Sequence, residues 1–232
     1  MINFKKYGKR CLSLFLAASM ILMPAVQIFA EEETAAATTD STQTAEEDRE
    51  TQRQNCYAIV PDSNSVENWP QGPATYADSA IVMDMNSGAV LYSKQIEKKH
   101  YPASITKLLT TLVALDNAEL TDTVEFSQDS ISFLEYGDAH IGMTPGEQIS
   151  MEDALYAVLL ASANEVSYAV AESVGKKMGG GYDTFIQAMN DESEKLGCTG
   201  SHWTNANGLH DEQHYTTAHD LSLIHISEPT RH

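Results

Sequence analysis

The chain has 232 residues, with 14 Lys plus Arg against 33 Asp plus Glu and a net charge of −19. That length allows one or two domains with a buried core. The acidic excess argues against a nucleic-acid partner, whose phosphates need a basic face, and fits acids that keep a surface solvated.

At the N-terminus, Lys5, Lys6, Lys9 and Arg10 precede an uncharged apolar run from Cys11 to Met23, and Ile28-Phe29-Ala30 ends on a small residue. Basic region, apolar run and small-residue site in that order predict a secretory signal peptide over residues 1–30. An exported protein at the cell surface or in a periplasm follows. The run is short for a membrane span. Ile28 is bulky for its position, so an uncleaved anchor stays open as the alternative. Residues 31 to about 55 are Glu, Thr, Ala and Gln with almost no large apolar side chain, which predicts a disordered acidic spacer. Residues 56–76 continue as polar loop, punctuated by Pro61, Pro70, Gly72 and Pro73. Cys56 and Cys198, the cysteines outside the signal, are expected to be unpaired, since two cysteines make no disulfide framework.

A folded pattern begins near Ala77. Ser79–Met85 and Ala89–Ser93 are apolar and β-forming around Asn86-Ser87-Gly88, which predicts a hairpin. Pro102 precedes a helix from about Ser104 to Asp116, with Ile105, Leu108, Leu109, Leu112 and Leu115 at helical spacing. Thr123–Ser127 reads as a short strand. Ser150 caps a helix over Met151–Ala161, with Leu155, Val158 and Leu159 on its inner face. Another helix covers Glu165–Val174, with Val166, Val170 and Val174 four apart. After the glycines at 179–181, a further helix lines up Tyr182, Phe185, Ile186, Met189 and Leu196 and ends at Gly197. Trp203 is a core candidate, and a helical pattern starts at Thr217. Residues 225–232 break that pattern and read as a non-native tail.

Two stretches carry chemistry. In Ser104-Ile105-Thr106-Lys107, a serine three residues before a lysine on a helix shares one face with it. A serine hydroxyl needs a base to become a nucleophile, and a lysine kept neutral by burial can be that base. The bland alternative is a helix cap beside a solvated lysine. Ser162-Ala163-Asn164 sits between two apolar helices, where its polar groups must be hydrogen-bonded or face a cleft. They could equally be caps. His210, His214 and His219 lie near Asp211 and Glu212, but a structural or surface role is preferred to a metal site. Tyr136-Gly137-Asp138 is read as either a substrate-contacting cleft edge or a plain loop.

Read in order, Tyr101–Lys107, Gly142–Glu147, Leu159–Asn164, Thr204–Leu209 and His214–Ala218 resemble the low-molecular-weight penicillin-binding D-alanyl-D-alanine carboxypeptidases, serine peptidase family S11, from about Ala77 to Ile224. The resemblance implies a serine β-lactamase/transpeptidase-like α/β (α+β) fold, with an antiparallel sheet against helices and an all-helical subdomain. It implies Ser104 as nucleophile, Lys107 as general base, Ser162 as proton shuttle and Asn164 as a substrate-binding side chain, with no metal or organic cofactor. The substrate would be a peptidoglycan stem peptide, and β-lactams would be covalent inhibitors. Two departures stand out. Position 163 is Ala where β-lactamases have Asp, and no K-T-G follows Asn164. The expectation is a partial catalytic domain over 77–224 with an incomplete sheet, exposed apolar faces, poor solubility and marginal stability. Any membrane association would come from an uncleaved signal or from a C-terminal helix absent from this sequence. A class A β-lactamase and an inactive or merely wall-binding module remain as alternatives. Glu192 and Glu194 are discounted as a deacylating base, being expected on an exposed helix side.

Overall fold

The computed structural model describes residues 46–227, with side chains through His225. The predicted signal peptide, residues 31–45 of the spacer and residues 228–232 of the tail lie outside the described residues. The chain divides into Met1–Arg49 and Glu50–His232, and the body described below is the second.

Helix α1 covers 46–58, where a disordered spacer and loop were expected. Its Glu, Arg and Gln residues are good helix formers, and Glu50 accepts a hydrogen bond from Gln54 one turn on at 2.6 Å. The end of the helix is fastened to the body: the Tyr57 ring lies 4.7 Å from Tyr76, and the Cys56 carbonyl accepts from Lys94 Nζ at 2.6 Å. Composition showed too little apolar surface for order, whereas the anchor is a buried cation from a distant strand.

Strands β1 (Ala80–Met83) and β2 (Val90–Lys94) form the predicted antiparallel hairpin, with a bulge between Val82 and Met83. A short 3₁₀ turn, Ala103–Ile105, leads into α2 (Thr106–Asn117). A second antiparallel pair joins β3 (Thr123–Glu125) to β4 (Gln148–Ser150), with α3 (Asp129–Ser132) between them. Then follow α4 (Met151–Leu160), α5 (Asn164–Lys177), α6 (Tyr182–Lys195) and α7 (Ala218–Ser227). Helix α7 runs through His225 to Ser227, so the helical pattern continues where a break was expected. No helix among the described residues is long and apolar enough to cross a membrane.

The core is helical. Helix α5 packs against α2, α4 and α6. Val166, Val170 and Val174 are all buried, as their spacing predicts, and each stabilises the fold by about 1.5–3 kcal/mol relative to an exposed site. Phe185 and Met189 of α6, Leu109 and Leu112 of α2, and Trp203 complete it. Ser150 caps α4 by accepting from the Asp153 backbone N–H, and Gly197 ends α6 in the left-handed region at φ 89°. The predicted inner faces need three corrections. Ile105, Leu115 and Leu159 are exposed, because the Ala103–Ile105 turn, α2 and α4 present those positions to the surface rather than to the core. Glu192 is buried rather than exposed, on the side of α6 that turns toward Val113 and Asn117 of α2, where it also pairs with Lys195 at 3.2 Å.

Candidate active site

The turn Ala103–Ile105 holds Ser104 at the entrance to α2. Ala103 has a left-handed backbone at φ 48°, costly for a residue with a Cβ. Gly208 accounts for that geometry: a Cβ there would lie 1.9 Å from the Ala103 carbonyl oxygen and 3.0 Å from the Ser104 nitrogen. Only glycine permits the 204–209 loop to press so closely, and its φ of 85° fits the same residue. Asn205 shapes the loop by accepting from the Gly208 N–H at 2.7 Å and donating to the Leu209 carbonyl at 2.9 Å.

Lys107, the second residue of α2 and one turn after Ser104, is 2% exposed. Its Nζ donates to Ser104 Oγ at 3.2 Å, to Asn164 Oδ1 at 2.8 Å and to the Asn207 carbonyl at 2.6 Å. Burial pushes its pKa down to about 8, although the charges of Asp138 and Glu165 hold the proton on. Ser162 lies in the break between α4 and α5, also left-handed at φ 54°, and its Oγ donates to Ser104 Oγ at 2.9 Å. Thus Ser104, Lys107, Ser162 and Asn164, which the sequence singles out, meet in one hydrogen-bonded chain. Beside them opens a cleft of about 340 Å³, walled by Ile105, Leu108, Val158 and Leu159.

Helix α2, which follows the Ser104 turn, is braced at its first residue. Thr106 Oγ1 lies 2.8 Å from His214 Nε2, and the Thr204 backbone N–H donates to His214 Nδ1 at 3.0 Å. With Nδ1 accepting, Nε2 carries the ring proton and donates to Thr106. Burial pushes the His214 pKa down to about 4. The other two histidines have separate contacts: His210 meets the Tyr101 ring at 4.6 Å, and His219 meets Glu97 at 2.9 Å. Cys56 and Cys198 are free. Tyr136 is wholly exposed, while the Asp138 carboxylate accepts from the Glu135 N–H at 2.9 Å.

Three contributors carried no role in the sequence reading: Asn207, Gly208 and Glu165; His214 takes the structural role preferred for it there. The Asn-Gly pair at 207–208 signals a tight turn. Nothing in the sequence shows that its carbonyl reaches Lys107 a hundred residues earlier.

Helices around a Ser-x-x-Lys turn with an exposed serine and a buried lysine, flanked by small antiparallel sheets, place the chain in the penicillin-binding and transpeptidase class of fold. The chain belongs to the D-alanyl-D-alanine carboxypeptidase family, peptidase S11, whose profile matches residues 66–229. It is 32% identical over 153 residues to the D-alanyl-D-alanine carboxypeptidase DacF of Bacillus subtilis, a match covering 64% of this chain and 38% of that protein. The crystal structure of a D-alanyl-D-alanine carboxypeptidase from Mycobacterium tuberculosis superimposes with TM-score 0.59 at 32% identity, covering 73% of this chain and 60% of that one. Penicillin-binding protein 5 from Haemophilus influenzae gives TM-score 0.63 at 25% identity, covering 70% and 48%. The chain spans less than half the length of the first curated relatives it matches, at 38%, 43% and 39%.

Proposed function

We propose that this chain carries the acylating centre of a serine D-alanyl-D-alanine carboxypeptidase, which removes the terminal D-Ala from peptidoglycan stem peptides. The observation that supports it most directly is the contact of buried Lys107 Nζ with Ser104 Oγ at 3.2 Å, next to Ser162. A neutral amine has two N–H bonds and one lone pair. Asn164 Oδ1 and the Asn207 carbonyl accept the two N–H bonds, which directs the lone pair at Ser104 Oγ. A pKa lowered to about 8 leaves a useful neutral fraction near neutral pH.

In the acylation step the Ser104 hydroxyl proton passes to Lys107 as Oγ attacks the carbonyl carbon of the penultimate D-Ala. The Ser104 backbone N–H stabilises the developing oxyanion. The C–N bond breaks, and the proton travels from Lys107 through Ser162 to the amine of the leaving D-Ala. Water then cleaves the Ser104 ester and releases the shortened peptide. Asn164 positions the peptide amide and orients Lys107. A β-lactam would acylate Ser104 in the same way. The proposal extends to export: residues 1–30 act as a signal peptide, and the enzyme works outside the cytoplasm on the wall.

Labelling with a fluorescent penicillin tests it. The chain is expected to take up label covalently, and Ser104→Ala to take up none. A folded, soluble chain that stays unlabelled would sink the assignment of Ser104.

A further inference from the structure

Asn164 and Glu165 are neighbours on the first turn of α5 and reach different partners. The Asn164 side chain holds Lys107, while its backbone N–H donates to the Ala139 carbonyl at 2.8 Å. Glu165 is fully buried. Its Oε1 accepts from the Ile141 N–H at 2.7 Å and from the Gly142 N–H at 3.2 Å. Its Oε2 is buried with no hydrogen-bond partner. Three hydrogen bonds therefore fasten segment 139–142 to the turn that presents Asn164.

The clamp does not need a charge. A glutamine carbonyl would accept the same two N–H bonds, and a buried carboxylate with an unpartnered oxygen is unfavourable. The acid therefore does something a neutral amide would not. The groups hydrogen-bonded to Lys107 Nζ, namely the Ser104 and Asn164 side chains and the Asn207 carbonyl, are neutral. The charges that bear on it are those of Asp138 and Glu165. Asp138 is half-buried and bears on Lys107 more strongly, whereas Glu165 is fully buried and of the two alone also makes the clamp to segment 139–142.

We propose that Glu165 is a positioning residue for the Lys107–Asn164 pair: its carboxylate fastens segment 139–142 to α5 and sets the field in which Lys107 exchanges its proton. The inference rests on reading Lys107 as the base. A negative charge favours the ammonium, so the acid delays loss of the Lys107 proton and supports its return after the leaving group departs. Neutralising Glu165 makes Lys107 give up its proton at lower pH.

The test uses the full chain with ¹³C-labelled lysine, the Lys107 resonance being assigned through Lys107→Arg. Wild type is expected to titrate near pH 8. Glu165→Gln is expected to titrate roughly one pH unit lower, with amide exchange over 139–142 unchanged. Glu165→Ala is expected to shift similarly and to speed exchange at Ile141 and Gly142 by about tenfold or more. A Glu165→Gln midpoint equal to wild type overturns the proposal, and so does unchanged exchange in a folded Glu165→Ala. If Glu165→Ala does not fold, the Glu165→Gln midpoint decides alone. Fluorescent-penicillin labelling of the same samples separates the two ideas. An unlabelled wild type with a shifted lysine defeats the proposed activity and leaves Glu165 its role. A labelled wild type with an unshifted lysine does the reverse.

Discussion

At the scale of single residues, the site depends on groups that the local sequence does not advertise. Gly208 is the clearest. Both its left-handed backbone and its contact with the Ala103 carbonyl exclude a side chain. Gly208→Ala is expected to cost about 3 kcal/mol or more in denaturant unfolding and to slow penicillin labelling, because relief of the clash must move Ser104. Labelling at the wild-type rate in a stable Gly208→Ala would show that the close approach is dispensable. His214 makes a pH prediction. Its pKa in the folded chain is lowered to about 4 from an ordinary 6.5, so the unfolded chain binds the extra proton between those values. Stability is thus complete above pH 6.5 and is lost as pH falls toward 4, by on the order of 3 kcal/mol. Denaturation midpoints between pH 7 and pH 4 measure the loss, and His214→Gln should remove most of this dependence.

At the scale of elements, the helices behave as their periodicity predicts, and the ends are set by long-range contacts. Lys94, at the end of β2, is fully buried, and its Nζ donates to the carbonyls of Cys56, Thr75 and Ala77 at 2.6, 2.8 and 2.7 Å. One ammonium satisfies three backbone acceptors and binds the 56–77 segment to the hairpin. Lys94→Met is expected to destabilise by about 2–4 kcal/mol and to open that segment to protease before the helical core yields. If cleavage instead starts within α4–α6, the clasp is not what orders the N-terminal part. The same contact explains why α1 is ordered although its composition resembles a spacer.

At the scale of the whole molecule, the apolar surface is unevenly distributed. The core around α5 is well filled, yet Val82, Met85, Val90 and Leu91 of the hairpin are 53%, 55%, 38% and 42% exposed. Leu91 has no partner opposite it at the bulge. Adjacent exposed apolar side chains on a two-stranded sheet favour association. Concentration-dependent self-association is expected in sedimentation velocity, and Val82→Thr with Leu91→Thr should suppress it. A monomer at high concentration would show that the hairpin face is tolerated in water.

Much of this protein was legible in sequence. The hairpin, the Ser150 cap, the valine stripe of α5 and the Gly197 stop follow from local rules: turn chemistry, capping and side-chain period act within a few residues. The order of the motifs spoke only through the family resemblance. The local rules also brought Ser104 and Lys107 onto one turn. What only the tertiary structure decided is what surrounds them. Lys107 is buried, which lowers its pKa, and its acceptors Asn164 and Asn207 come from segments 57 and 100 residues away. The exposure of Leu159, the inward turn of Glu192 and the order of α1 were decided the same way. Each depends on which neighbour packs against an element, and contacts between distant segments leave no periodic trace in the chain.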